Sequence, residues 1–358
     1  MNSKERVGAA IRHEATDRVP VDYYAREEVS ERLAERLGVD KGEALRERLG
    51  VDLRFVGPRF ARESARLCYA DPTVEVTREG IHRDIWGVGF RPNKTVAGFY
   101  MDFAESPLNG LESAAELDDY PWPQADWWDY SNVARDAKGG SDYWVWAHSR
   151  GIFEIAWMTR GFDAFLLDLA IEPERAAALM DRIQKYLFER TQRILEAGEG
   201  FIDMVEYNDD VGGQNGLIIS PSMWREHLKP RMDAFVKLCK GRGAKVRYHS
   251  CGGIRPIIGD LIEIGVDVLN PVQTLAEGME PGGLKRDFGE RITFNGGVDT
   301  QELLPKATAD EVKRETRRLI ETLGQGGGLI LAPSHVFQAD VPVENVIAVY
   351  ATALGQHA

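Results

Sequence analysis

From residue 140 onward, short runs rich in β-branched and aromatic residues alternate with amphipathic stretches of helical period, the signature of an α/β fold with parallel strands. The runs are 142–148, 202–207, 244–248, 266–271, 292–296 and 329–332; two earlier ones, 19–23 and 53–56, bring the number to eight. The stretches between them read as helices. In 173–196, Ala176, Leu179, Met180, Ile183, Leu187 and Ile194 recur close to every 3.6 residues. Ser220-Pro221 opens a helix over 222–240, and Thr308 caps one over 308–323, ahead of Asp310 and Glu311. A last helix begins at Pro342 or Val343.

Eight strands with intervening helices predict a (β/α)8 TIM barrel with an N-terminal helical extension, one domain over residues 1–358. No strand–GxGxxG–helix unit is present, which disfavours a dinucleotide-binding sheet. Gly326-Gly327-Gly328 precedes a strand and reads as a tight turn rather than a phosphate cradle. The net charge of -13 argues against nucleic acid or an anionic membrane as partner. Cys68, Cys239 and Cys251 form no disulfide framework, and no signal-like apolar segment opens the chain, so a cytoplasmic location is expected. The aromatic stretch at 120–130 is expected to pack over the barrel.

Barrel enzymes take their catalytic groups from the C-terminal ends of the strands. Here those ends are polar one after another. The third strand ends at His148, the fourth at Tyr207-Asn208-Asp209-Asp210, the fifth at His249-Ser250-Cys251. Asn270 and Gln273 follow the sixth, Asn295 and Asp299 the seventh, and Ser334-His335 the eighth. His249 and Cys251, two apart, point to the same side of an extended segment and offer the imidazole and thiolate that zinc prefers. Taken alone, the pair reads more readily as a core Cys beside a His bonded to a carbonyl. Asp209 and Asp210 offer a proton shuttle, a substrate anchor or a metal ligand, or else a turn cap. Glu206, inside a strand, needs either a metal or a positive side chain. No Gly-x-Ser-x-Gly elbow is present.

These residues also carry a resemblance. KERVGAAIRHEATDRVPVDYY (4–24), DIWGVGF (84–90), YPWP (120–123), NDDVGGQNGLIISPSMWREHLKP (208–230), YHSCGGI (248–254), FNGGVDT (294–300) and APSHVFQADVPVENV (332–346) resemble the uroporphyrinogen decarboxylase superfamily over nearly the whole length. The resemblance implies a (β/α)8 barrel. Uroporphyrinogen decarboxylases proper carry an arginine-rich motif after the first strand; residues 21–26, VDYYAR, do not match it. The chain is instead similar to the cobamide-dependent methyltransferase branch, whose zinc is held by His-x-Cys on the fifth strand and by a Cys near the eighth. His249 and Cys251 match the first two, and His335 stands where the third would fall, with Glu206 a further candidate ligand. From their places at the strand ends Asp209, Asp210 and His148 are expected in catalytic roles, His148 reading as readily as a structural histidine, and Tyr207, Asn208, Asn270, Gln273 and Asn295 against substrate. A corrinoid would be carried by a partner protein, and a homo-oligomer stays open. The alternative is a metal-independent decarboxylase or lyase, with Asp209 and His148 as acid and base.

Overall fold

The computed structural model describes residues 1–61, 80–95 and 98–355, so Cys68 lies outside the described residues. Seven strands form one parallel sheet whose spatial order follows the chain. They are β1 (Leu53–Phe55), β2 (Trp144–Arg150), β3 (Met204–Asn208), β4 (Lys245–His249), β5 (Val268–Val272), β6 (Thr293–Val298) and β7 (Leu329–Pro333). The segment around Val21 occupies the eighth position between β7 and β1. Val21 bridges in parallel to Leu331; the Leu331 amide donates to Pro20 O at 2.8 Å, and the Asp52 amide donates to Val21 O at 2.9 Å. Residues 19–23 thus close the ring without forming a full strand. Pro20 has no N–H to donate, and the Val21 amide donates to the Asp52 carboxylate instead of a neighbouring strand.

Helices cover the outside as the periodicity predicts. After α1 (Ser3–Ile11) come α2 (Ile152–Arg160), α3 (Pro173–Ala197), α4 (Lys229–Lys240), α5 (Ala309–Leu323) and α6 (Val343–Ala353). Thr308 caps α5 through a reciprocal capping box with Glu311. The helix expected over 222–240 is interrupted by a π turn at Trp224–Leu228. Pro230 cannot donate the i→i−4 bond to Glu226, and the ladder widens just ahead of it. The N-terminal extension contributes two more helices, Glu27–Leu37 and Glu43–Arg48.

Alternation along the strands stacks the barrel interior in layers. The lowest is apolar: Leu53, Trp144, Met204, Val268 and Ile330, at the beginnings of their strands, pack with Val7 and Ile11 of α1. The helix α1 therefore plugs the N-terminal end. The Gly328 amide, at the end of the glycine turn, donates to Ala10 O at 2.9 Å and ties β7 to the same plug. The middle layer is polar and the upper layer opens at the C-terminal end. Between β1 and β2 an excursion carries an antiparallel sheet (His82–Arg83, Gly89–Thr95, Gly98–Glu105) and the aromatic stretch. That stretch is anchored by Tyr120 Oη, which donates to Trp86 O at 2.6 Å, and by Trp128 Nε1, which donates to Tyr186 Oη at 2.8 Å. No helix of the described residues is long and apolar enough to cross a membrane.

Candidate metal centre

The site is assembled where β3 and β4 end. His249 is the last residue of β4, and the chain then turns through Ser250, Cys251 and Gly252. Cys251 Sγ lies 3.8 Å from His249 Nε2, and Asp210 Oδ1 lies 3.8 Å from the same nitrogen. Among the described residues, Asp210, His249 and Cys251 form the group whose ligand atoms all fall within 4.8 Å of one another. Three backbone amides donate to side chains around the turn. The Cys251 amide donates to Asp210 Oδ1 at 2.7 Å, the Gly252 amide donates to Gln273 Oε1 at 2.7 Å, and the Val211 amide donates to Ser250 Oγ at 3.0 Å. Gln273 Nε2 in turn donates to Ser334 O at 3.3 Å, linking this turn to the segment that carries His335. A glycine is required at 252: its φ is +83°, and a Cβ would lie 2.6 Å from backbone atoms of Gly212 and Gly213.

The donor set fits a borderline-soft divalent ion such as zinc: one imidazole nitrogen, one sulfur and one carboxylate oxygen, partly buried but reachable. Burial raises the Cys251 thiol, and the carboxylates of Asp210 and Glu154 raise it further. A thiolate here therefore needs a cation beside it.

Asp209 and Asp210 point different ways. Asp209 is buried, and its carboxylate accepts from the amides of Phe153 (3.2 Å) and Glu154 (2.8 Å), capping the N-terminus of α2. Gly151 leaves the room for it, since a Cβ there would lie 2.0 Å from Asp209 Cβ. Burial raises the Asp209 carboxyl to about 7. The folded state thus binds this proton more tightly than the unfolded chain, and Asp209 withdraws stability as the pH rises from about 4 to about 7. Over that window the wild type is expected to lose stability relative to Asp209→Asn, by at most about 4 kcal/mol. Paired urea titrations would measure it, and a pH-independent difference would show the carboxyl to be ordinary.

The polar layer below the centre contains Glu206, Arg247 and Asp22. Arg247 Nε lies 2.7 Å from Glu206 Oε2, and Arg247 Nη1 donates to Asp22 Oδ2 at 3.1 Å. The guanidinium stacks 4.1 Å above the Trp146 ring. Glu206 thus has the positive partner that its place in a strand demands, and it lies outside the metal-ligand group. His148 Nε2 is 3.9 Å from Glu206 Oε1; desolvation, the first cause, lowers its pKa. Asn270 and Asn295 lie in the barrel beside His249 and Arg247. Asn208 is half-buried at the end of β3. Tyr207 faces the opposite way, packing on Phe235 at 4.8 Å while its hydroxyl accepts from the Ile152 amide. His335 is exposed at the mouth. Sequence reasoning missed Arg247 and Asp22. The signal was the charged residue in the middle of KVRYH, whose alternation puts Arg247 on the same side as His249.

Residues 136–354 match the family described as uroporphyrinogen decarboxylase (URO-D). The chain belongs to this family. No protein of curated function matches it significantly. Among solved structures, this URO-D chain is similar to a methyltransferase from Methanosarcina mazei, with 19% identity and a TM-score of 0.67 over 99% of each chain, which is a likeness of fold. Similarity to a 3-keto-D-glucoside 4-epimerase from E. coli is slighter: 10% identity and a TM-score of 0.39 over 71% of this chain and 96% of that one.

Proposed function

We propose that the chain is a zinc-dependent methyltransferase that moves a methyl group between a small methoxy, thio or amine compound and a corrinoid carried by a partner protein. The observation that carries this reading is the convergence of Asp210, His249 and Cys251 at the mouth of the barrel. These three would hold the ion, with Asp210 in the place first expected for His335. Three protein ligands leave a coordination position for substrate. When bound, zinc supplies a Lewis acid that stabilises charge on the heteroatom losing or accepting the methyl group. Cys251 would give up its proton on binding the ion, while Gln273 and Asp210 keep its turn in place and His335, at the mouth, would stand beside incoming substrate. The corrinoid partner rests on the family resemblance, supported by the methyltransferase of like fold.

The decarboxylase alternative finds less support. Asp209, its expected acid or base, is turned into the cap of α2, and Arg247 already faces two carboxylates. The proposal is tested by metal analysis of the purified protein and by methyl transfer to added cob(I)alamin from a panel of methoxy, thioether and methylamine donors. Near-stoichiometric zinc together with transfer from one donor class is the expected result. Absence of bound zinc after reconstitution, with no transfer from any donor, would overturn it.

A further inference from the structure

We infer that Arg247, acting through Asn295 and Asn270, fixes which ring nitrogen of His249 carries the proton and so turns Nε2 into a lone-pair donor. The inference starts from groups whose hydrogen-bonding roles are not negotiable. A guanidinium only donates, and a backbone carbonyl only accepts. Arg247 Nη1 lies 3.1 Å from one amide atom of Asn295, which must therefore be Oδ1. The other amide atom lies 3.1 Å from Ile330 O and must be Nδ2. Two independent contacts thus set Asn295 the same way round.

Asn295 then sets Asn270. Its Oδ1, already accepting from Arg247, also faces Asn270 at 2.9 Å, so the facing atom is Nδ2. That leaves Asn270 Oδ1 against His249 Nδ1 at 2.6 Å. An amide oxygen is an acceptor only, so Nδ1 carries the hydrogen. In the neutral imidazole Nε2 is then bare, and it is the nitrogen that faces Cys251 Sγ and Asp210 Oδ1.

Each member is well placed to transmit the constraint. Arg247, Asn270 and Asn295 are buried, where an acceptor turned toward an acceptor finds no water to relieve it. Arg247 is held by Glu206, Asp22 and the Trp146 face. A guanidinium stays charged at every accessible pH, so the relay stays anchored. Arg247 and Asn295 touch neither the candidate ion nor the mouth; they are positioning residues.

The tautomer stands on these contacts alone, whereas its consequence for metal binding rests on the function proposed above. The test uses metal-free full-length protein labelled with 15N-histidine, at a pH where imidazole is neutral, with His249→Gln to assign the signal. Long-range 1H–15N correlation is expected to show His249 wholly as the Nδ1–H form. Asn295→Leu, which cuts the relay two residues away from the ring, is expected to give mixed tautomers and to weaken zinc binding about 10- to 100-fold by calorimetry. Wild-type His249 in the Nε2–H form would overturn the inference whether or not any variant folds. Unchanged zinc affinity in a folded Asn295→Leu with mixed tautomers would overturn the consequence. If the wild type shows the Nδ1–H form but takes up no zinc, the relay stands and the proposed function fails.

Discussion

Replacing Cys251 with alanine is expected to lower zinc affinity by more than about 100-fold, beyond the range typical of residues that only support a ligand. The thiol is the softest donor of the three, and the other two lie close to it: Nε2 of His249 is 3.8 Å from the sulfur. Alanine removes the sulfur and leaves the fold of the turn intact, because the turn is held by the Cys251 and Gly252 amides rather than by the side chain. Substituting cobalt for zinc gives the cleaner readout, since a thiolate–cobalt charge-transfer band should be present in the wild type and absent in Cys251→Ala. Asp210→Ala should weaken binding comparably, whereas His335→Ala should retain the metal to within about tenfold, because His335 lies outside the ligand group. Loss of zinc in His335→Ala with retention in Asp210→Ala would restore His335 as the third ligand and reject Asp210.

That contrast shows where sequence reasoning reaches its limit. Alternation of strand and helix predicts the barrel, and strand spacing of two puts His249 and Cys251 on one side. Both are local regularities. The choice between Asp209 and Asp210 is not local: it depends on Gly151, far away in the chain, leaving a gap into which Asp209 turns to cap α2. The nearness of Asp210 to His249 and Cys251 likewise depends on how two glycine-rich turns, 211–213 and 250–253, approach each other. Residues 19–23 read as a strand by composition, yet Pro20 and the Asp52 carboxylate take away the amides a strand would use. Glu206 could be read as needing a partner, but which partner is a matter of register: Arg247 stands directly opposite it across β3 and β4.

Arg247→Ala is expected to destabilise the protein by about 3–5 kcal/mol, a cost typical of removing one partner of a buried ion pair. Against a total stability of about 5–15 kcal/mol this is a large share. The cause is electrostatic more than steric. Glu206 and Asp22 are both nearly inaccessible to water, and without the guanidinium two carboxylates share the barrel interior. Asp22 keeps the Tyr24 hydroxyl and the Tyr23 amide as donors. Glu206 keeps no such hydrogen bond among the described residues, only the pull of His249 and of His148, which is 3.9 Å away with its pKa already lowered. Adding Glu206→Gln to Arg247→Ala should therefore recover more stability than adding Asp22→Asn. Acid should help too. With Arg247 present Glu206 is held below its ordinary range; without it burial dominates and raises the carboxyl, so the folded variant gains from protonation and the deficit narrows as the pH falls toward 4. Urea titrations of the single and double variants across the acid range would measure this. A deficit independent of pH and untouched by Glu206→Gln would mean that the loss is one of packing against Trp146 rather than of charge.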